Sequence, residues 1–295
     1  MPNHLYEVIE QTARDLYIRA LTDIPPDVRT ALRDGLAAEQ RGGNKTAEGV
    51  LFTILRNIDV ADETSTLVCQ DTGLPVFSVK AGTGLALDYA EVKARLRRGC
   101  ERATSEYPLR SNTVHPLTRK PTGTNTGEGL PVVKFEFVPG SSVLEITIAP
   151  KGSGSENMSF LKMLNPADGT KAVKRFVIEC VFESGARPCP PIILGVGVGG
   201  TSDLAMQLAK QASCFRTIGS ANADDAVAEL EKDLLSLVNR TGLGPQGLGG
   251  ETTALAVHVE WAHTHISQLP VAVNVQCWRG ERARAVIDAD GKVTS

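Results

Sequence analysis

The sequence predicts a mixed α/β fold in which a helix-rich N-terminal lobe is followed by a region of strands and helices. Three patterns support this prediction. Residues 1–60 carry apolar side chains at helical spacing, residues 132–149 alternate apolar and polar side chains with a period of two, and later segments switch between apolar strands and amphipathic helices. With 295 residues, 42% of them hydrophobic, the chain is long enough to bury one large core or two smaller ones.

The N-terminal lobe is predicted from two apolar stripes. The first stripe contains Ile9, Leu16 and Ala20, and the second contains Val50, Leu51, Ile54, Leu55 and Ile58. Pro25-Pro26 and Gly42-Gly43 separate the helices, because proline and glycine interrupt regular structure. We therefore expect one domain (1–295), divided into a helical lobe over residues 1–65 and an α/β region over residues 66–295.

The α/β region is predicted element by element from its apolar periodicity. Two strands within residues 132–149 flank Pro139-Gly140, where the chain must turn. The other elements are an extended segment at 67–80, a helix at 88–103, a helix around 176–181, a strand at 192–198, helices at 202–212 and 227–237, and a strand at 271–275. Because Cys100 and Cys180 fall on the apolar sides of their helices, we expect both to be packing residues.

Charge and hydropathy exclude several classes of protein. The formal net charge is −3 without a long basic run, so the chain lacks the basic surface that nucleic acid or an anionic membrane requires. No apolar stretch approaches the roughly 18 residues needed to span a membrane, and acidic and polar residues near the start replace the apolar core of a signal peptide. We expect a cytoplasmic protein whose six scattered cysteines are reduced thiols.

A glycine-rich segment begins within the predicted strand at 192–198. Gly195, Gly197 and Gly200 match G-x-G-x-x-G, the fingerprint of a dinucleotide site. The segment 214–218 after the next helix is short and carries no acid to hold a ribose, so a nucleotide is disfavoured. The glycines instead predict a close approach of the backbone to another group, which we expect to be a cofactor beside Cys189.

Three of the six cysteines stand in unusual surroundings. Cys69 is followed by Gln, Asp, Thr and Gly, Cys189 lies between prolines, and Cys277 ends a predicted strand. Strand ends are where α/β proteins assemble their sites. Taken alone, this pattern leaves structural cysteines and a metal cluster open, and a zinc site is less favoured because such sites commonly use a close C-x-x-C pair that this chain lacks.

Four further features carry polar groups whose role the residues alone leave open. The loop 151–157 has N–H groups and hydroxyls that suit a carboxylate at the start of a predicted helix, or it is a plain connection. The glycines of 244–250 indicate a backbone folded closely round a ligand or round other loops. His263 and His265 form an H-x-H pair that suits a metal or plain solvent exposure, and Arg110 suits the surface or a carboxylate.

Five segments, taken in order, resemble the motifs of the class I, iron-sulfur fumarase and L-tartrate dehydratase family. They are VCQDTGLPVF, PKGSGSENMSFLKML, RPCPPIILGVGVGGT, GPQGLGGETTALAV and THISQLPVAVNVQC, and the similarity covers about residues 45 to 290. The resemblance implies that Cys69, Cys189 and Cys277 hold a 4Fe-4S cluster. Three thiolates for four irons would leave one iron open to act as a Lewis acid on a substrate hydroxyl.

The resemblance also implies a substrate site. Its substrate-binding residues would be Gln70, Arg110, Gly152, Ser153 and Gly154, and its catalytic residues would be Asp71 and His265. An arginine can grip a carboxylate, backbone N–H groups can donate to it, and an acid with a histidine can move protons. Such a polar shell argues against the rival interpretation, a non-catalytic iron-sulfur or zinc protein that binds a partner or senses redox state.

The implied activity is the reversible hydration of fumarate to (S)-malate, and the motif KGSGSENMSFLKML favours fumarate. Dehydration of L-tartrate and hydration of mesaconate are the alternatives. The resemblance ends soon after the Cys277 motif, as in the α subunit of the two-subunit branch of the family. We therefore expect a β subunit that resembles the family's C-terminal domain, in an α2β2 assembly that binds a small dicarboxylate.

Overall fold

The computed structural model describes residues 2–294, which fall into two compact units. The first unit consists of the chain up to Ile24, Ala61–Gly152 and the chain from Glu281 onward, and the second consists of Pro25–Val60 and Ser153–Gly280. This division differs from the expected lobe over residues 1–65. The first helix packs within the first unit and the second helix within the second, so the N-terminal helices do not form a lobe of their own.

The helices are α1 (Pro2–Thr22), α2 (Pro26–Gly42), α3 (Lys45–Thr64), α4 (Tyr89–Glu106), α5 (Ser153–Glu156), α6 (Gly169–Ser184), α7 (Ser202–Phe215) and α8 (Asp225–Asn239). The strands are β1 (Leu74–Gly82), β2 (Val132–Val138), β3 (Val143–Lys151), β4 (Ser159–Leu164), β5 (Ile192–Gly199), β6 (Ala254–Ala262), β7 (Leu269–Gln276), β8 (Ala283–Asp288) and β9 (Val293–Thr294). None of the helices in the described part of the chain is long and apolar enough to cross a membrane.

The first unit is a five-stranded sheet with two helices on one face. Its strand order is β2-β1-β3-β8-β9, with β1 parallel to β2 and antiparallel to β3. Although β2 and β3 are consecutive in sequence, β1 therefore separates them in the sheet. α1 and α4 pack on the sheet around a core that includes Phe77, Leu96 and Ile146, all fully buried. Burial of each such side chain stabilises the fold by about 1.5–3 kcal/mol.

The second unit is a four-stranded sheet covered by helices on both faces. Its strand order is β4-β7-β5-β6, with β5 parallel to β6 and antiparallel to β7. Side chains alternate between the two faces of a strand. On β7, Val271 and Val273 pack with α6 and α8, whereas Ala272 packs against α7. Because both faces are buried, β5 is apolar along its whole length, as the sequence predicts.

Cys100 and Cys180 are packing residues, which confirms the prediction for both. Cys100 is buried in the core of the first unit and Cys180 in that of the second. Burial raises the pKa of both thiols, that of Cys180 to about 12, because an apolar interior disfavours the charged thiolate. Both thiols are enclosed by the apolar side chains of their cores, as expected of packing residues.

The prediction that the G-x-G-x-x-G glycines face a cofactor is wrong. A Cβ atom at Gly195 would lie 2.1 Å from the carbonyl oxygen of Ala209, and one at Gly197 would lie 2.0 Å from that of Ala205. Both carbonyls belong to α7, so the glycines allow this helix to lie directly on β5. The motif is therefore a packing feature, and it supports neither a dinucleotide site nor a cofactor site.

Four strands, β4, β6, β8 and β9, were not expected from the sequence. The loop 151–157 leads into the single turn α5 and then into β4, not into a long helix. β6 lies in the segment that contains His258, His263 and His265. His258 is buried within this strand, whereas His263 and His265 follow its end and are exposed.

Candidate active site

In the first unit, the turn from Cys69 to Gly73 leads directly into β1 and is held by a buried tyrosine. The hydroxyl of Tyr17 on α1 donates hydrogen bonds to the carbonyl oxygens of Thr72 (3.1 Å) and Gly73 (3.2 Å). Gly73 has φ +64°, and a Cβ atom there would lie 2.8 Å from the backbone nitrogen of Lys151. Only glycine fits this position without strain, and the turn is consequently fixed against the end of β3.

Arg110 is fixed to the same turn by its backbone. Its carbonyl oxygen accepts hydrogen bonds from Thr72 Oγ1 (2.7 Å) and Asn125 Nδ2 (3.0 Å). Asn112 Nδ2 in turn donates to Thr72 Oγ1 (2.8 Å). The Arg110 side chain is exposed, and none of the hydrogen bonds or ion pairs within residues 2–294 involves its guanidinium. A cation is therefore available beside the turn for a bidentate contact with a carboxylate.

The other predicted residues of the first unit cluster at the same edge of its sheet. Asp71 is half-buried, and its Oδ1 accepts a hydrogen bond from the backbone nitrogen of Gly73 (3.0 Å). Gln70 is exposed and Cys69 is partly exposed. Leu74 on β1 pairs with Lys151 on β3, so Gly152 also reaches this edge. The first unit thus brings together one predicted cluster ligand, one predicted proton-transfer group and one predicted carboxylate-binding cation.

We expect the Tyr17→Phe variant to be less stable than the wild type by about 1–3 kcal/mol, because two buried carbonyls lose their shared donor. Burial raises the pKa of Tyr17 well above its ordinary value. The stabilising contribution is therefore present below the unfolded-state pKa near 10 and is lost as pH rises above it. Urea unfolding of both proteins at pH 7.5 and pH 10.5 measures both effects. Equal unfolding midpoints at pH 7.5 would show that the Tyr17 hydroxyl does not stabilise the turn.

In the second unit, Cys189 and Cys277 lie at the same end of the sheet. Cys189 precedes β5 and Cys277 follows β7, and these antiparallel strands pair Ile193 with Gln276. The backbone nitrogen of Trp278 donates a hydrogen bond to the carbonyl oxygen of Cys189 (3.3 Å). Cys189 is exposed and has φ +56°, a left-handed conformation that is uncommon for residues other than glycine. Strain of this kind at an exposed thiol is typical of a functional position.

The glycine-rich loop 244–250 folds onto the turn that carries Cys189. Gln246 donates two hydrogen bonds to the carbonyl oxygen of Pro190, from its backbone nitrogen (2.8 Å) and from its side-chain Nε2 (2.9 Å). Of the two interpretations open at the sequence level, the structure thus supports close packing around another loop. The function of Gln246 in this packing was not predicted, although a single polar side chain among four glycines is a recognisable signal.

Ser153 and Gly154 begin the second unit. They form the first half of α5, and a Cβ atom at Gly154 would lie 2.9 Å from the carbonyl oxygen of Arg187. The turn therefore lies against the segment that leads to Cys189. Within the second unit, the structure brings together Ser153, Gly154, Cys189 and the Cys277 end of β7.

His265 is not brought to this end of the sheet. It lies in the connection from β6 to β7, where Gly199 pairs with Ala262 at the opposite end of the strands. The eight residues of β7 are separated by seven steps of about 3.3 Å each, which place the two ends roughly 23 Å apart. The imidazole Nδ1 lies 2.8 Å from Ser267 Oγ, and the side chain is exposed.

The predicted cluster ligands are divided between the two units. Among residues 2–294, no three His, Cys, Asp or Glu side chains lie close enough together to hold a metal ion. The donor chemistry of the predicted ligands nevertheless suits an iron-sulfur group, which is bound by cysteine thiolates. Cys189 is exposed and Cys69 is partly exposed, so both are accessible to an incoming cluster, whereas Cys277 is buried with 9% exposure directly after the end of β7.

Comparison with known proteins agrees with the sequence motifs. The family model described as Fumarate hydratase (Fumerase) matches residues 10–286. A protein of Methanocaldococcus jannaschii, provisionally named L(+)-tartrate dehydratase subunit alpha, is 41% identical over 287 residues, which are 97% of this chain and 99% of that protein. The L(+)-tartrate dehydratase subunit alpha of Escherichia coli strain K12 is 35% identical over 269 residues, 91% of this chain and 87% of that protein. Because the family model matches most of its length, the chain belongs to the fumarate hydratase (Fumerase) family.

Proposed function

We propose that the chain is the α subunit of a two-subunit iron-sulfur hydro-lyase that catalyses the reversible hydration of fumarate to (S)-malate. The observation that carries the proposal is the family match over residues 10–286, a range that includes Cys69, Cys189 and Cys277 together with Asp71. Dehydration of L-tartrate is the second candidate, because both relatives carry that name. Each reaction adds water to, or removes it from, a four-carbon dicarboxylate.

The proposed ligands of a 4Fe-4S cluster are Cys69 in the first unit and Cys189 and Cys277 in the second. The chain passes from one unit to the other at Gly152-Ser153, within the predicted substrate-binding turn. When bound, a cluster with three protein thiolates supplies a Lewis acid that polarises the hydroxyl of the substrate. The accessible thiols at Cys69 and Cys189 support this ligand set.

The protein's own residues bind the substrate and transfer a proton. Arg110 binds one carboxylate of the substrate. The turn formed by Gly152, Ser153 and Gly154 also lies against a carboxylate of the substrate. The exposed side-chain amide of Gln70 donates a hydrogen bond to the substrate. Asp71 exchanges a proton with the water that leaves or enters, and the hydrogen bond from the Gly73 backbone nitrogen to Asp71 Oδ1 supports this role because it holds the carboxyl in the turn beside Cys69.

His265 can serve such a site only from a second copy of the chain, because it lies at the far end of the sheet from Cys189 and Cys277. Apolar side chains are exposed near it: Ile266 in the same connection is 92% exposed, and Trp261 near the end of β6 is 40% exposed. Exposed apolar side chains of this size favour burial against another protein. The proposed α2β2 assembly provides that second copy.

Co-expression of Asp71→Asn and His265→Asn chains tests this arrangement. If each site takes Asp71 from one copy and His265 from the other, every mixed dimer contains one site with both native residues. Random mixing should then restore about a quarter of wild-type activity, since half of the dimers are mixed and half of their sites are intact. Activity no higher than that of the two separate variants would show that His265 does not act between copies.

The names of both relatives are those of an alpha subunit, which supports a β partner for this chain as well. We propose that this partner resembles the C-terminal domain of single-chain class I fumarases and supplies further cations to the substrate. An oxygen-sensitive cluster and six cysteines suit a reducing compartment, so the proposed location is the cytoplasm.

Anaerobic turnover by the purified αβ complex tests the proposed function and ranks the substrates. Fumarate, L-tartrate and mesaconate are supplied separately, and kcat/KM is measured for each. The proposal predicts the highest kcat/KM for fumarate, and a higher value for L-tartrate would favour the second candidate. Failure of an iron-replete complex to turn over any of the three would contradict a hydro-lyase function and favour a non-catalytic metal protein.

A further inference from the structure

A buried polar network joins α5 to β7, the strand that ends one residue before Cys277. Asn274 on β7 is fully buried and, like Ala272, faces α7. Its side-chain oxygen accepts a hydrogen bond from Ser213 Oγ on α7 (2.8 Å). Its side-chain nitrogen donates to Ser159 Oγ (2.8 Å) and to Glu156 Oε2 (3.4 Å). An amide is costly to bury in a strand of valine and alanine unless it forms hydrogen bonds. Both the oxygen and the nitrogen of the Asn274 amide do so.

The network holds the C-terminal end of α5 from three sides. Glu156 is the last residue of α5, and its other carboxylate oxygen forms an ion pair with Lys210 on α7. The hydroxyl of Ser159 donates to the backbone oxygen of Glu156 (2.8 Å). Ser153, Gly154 and the buried Ser155 make up the rest of this single helical turn. Their position is therefore set by contacts to Glu156, because a turn of four residues has no stability of its own.

We propose that Asn274 is a positioning residue, which fixes the turn at Ser153 and Gly154 for a substrate carboxylate while touching neither substrate nor cluster. This inference rests on the proposed function of that turn. Asn274 acts through Glu156 and Ser159, and it connects the turn to β7, the strand that ends just before Cys277. The sequence contains the signal, because Asn274 interrupts the apolar run Val271–Val275, but only the structure shows its partners.

The Asn274→Asp variant tests the inference, because aspartate has the same shape but cannot donate and would face the Glu156 carboxylate. In the anaerobic αβ complex we expect KM for the dicarboxylate to rise by about 10- to 100-fold, as for loss of a buried hydrogen bond with a charged partner, with a smaller change in kcat. Iron content should stay at the wild-type level. The N274D/E156Q double variant restores a donor opposite the aspartate and removes the repulsion, so KM should return to within roughly threefold of the wild type.

Asn222→Asp is the matched control. Asn222 also donates its amide to a buried strand, at the backbone oxygen of Val259 (2.9 Å), but it lies away from α5. The same chemical change there should leave KM unaltered.

Four outcomes would overturn the inference. They are a wild-type KM in N274D, a KM defect that E156Q does not reverse, an equal KM defect in Asn222→Asp, and a loss of iron in N274D, which would make Asn274 a support for Cys277 alone. An inactive wild-type complex would overturn the proposed function and this inference with it. An active wild-type complex with any of the four outcomes overturns this inference alone.

Discussion

Serine in place of Cys69, Cys189 or Cys277 is expected to abolish both bound iron and hydro-lyase activity. Serine keeps the shape of cysteine but offers a hydroxyl, which is a poor substitute for the thiolates that hold iron-sulfur clusters. Anaerobically purified wild-type protein should contain about four irons per chain and show the broad absorption of thiolate-bound iron. Each of the three variants should lack most of both signals, measured by iron analysis and visible spectroscopy on the same sample.

Cys100→Ser and Cys180→Ser are the matched controls for this result. Both thiols are buried with raised pKa values, so their replacement costs some stability but should leave the iron content unchanged. Equal iron loss in control and ligand variants would indicate general unfolding. One tightly bound zinc after anaerobic reconstitution with iron and sulfide would contradict the cluster itself.

Asparagine in place of Asp71 is expected to lower kcat by about 10²- to 10⁴-fold, the usual contribution of a placed proton-transfer group. The change is well matched to the structure. Asp71 Oδ1 accepts the hydrogen bond of the Gly73 backbone nitrogen, and the asparagine oxygen can accept the same bond. The turn and the iron content should therefore persist while proton transfer is lost. Steady-state kinetics of the αβ complex with fumarate measures the effect.

Arg110→Ala provides the contrast to Asp71→Asn. Because Arg110 is fixed by its carbonyl oxygen and its guanidinium has no partner in the described chain, alanine removes the cation without disturbing the turn. The expected result is a higher KM with a smaller change in kcat. Normal turnover by both variants would show that the Cys69–Gly73 edge of the first sheet is not part of the active site.

Much of the fold could be predicted from periodicity. The helix at 88–103 is α4 and the strand at 192–198 is β5, because each carries a strong pattern and a clear start, such as the Asp88 side chain that accepts from the Ala90 backbone nitrogen. The strands β4, β6, β8 and β9 were missed, and for β4 and β6 there is a physical reason. β6 is buried on both faces and contains a histidine, and β4 follows a glycine-rich turn, so neither shows a simple alternation.

The site was only partly predictable. The residues around Cys69 are local in sequence, so their grouping with one another follows from the motif. The meaning of Gly195 and Gly197 depends on α7, which packs on them from later in the chain, and no local pattern reveals that contact. The place of His265 depends on the strand order β4-β7-β5-β6, which sets it at the far end of the sheet. Strand order is a property of the whole unit, and one sequence does not display it.

Anaerobic mixing of the iron-replete chain with and without its β partner tests most directly whether these 295 residues hold half of an active site. A dicarboxylate presents two anionic groups, and Arg110 is the single cation among the residues assigned to the substrate. Closure by a partner would add cations and exclude water, which couples catalysis to assembly. The expected result is hydration of fumarate or dehydration of L-tartrate only in the mixture, with rates that rise to a plateau as the partner is added. Comparable rates from the chain alone would contradict this, because they would show a complete hydro-lyase site within a single subunit.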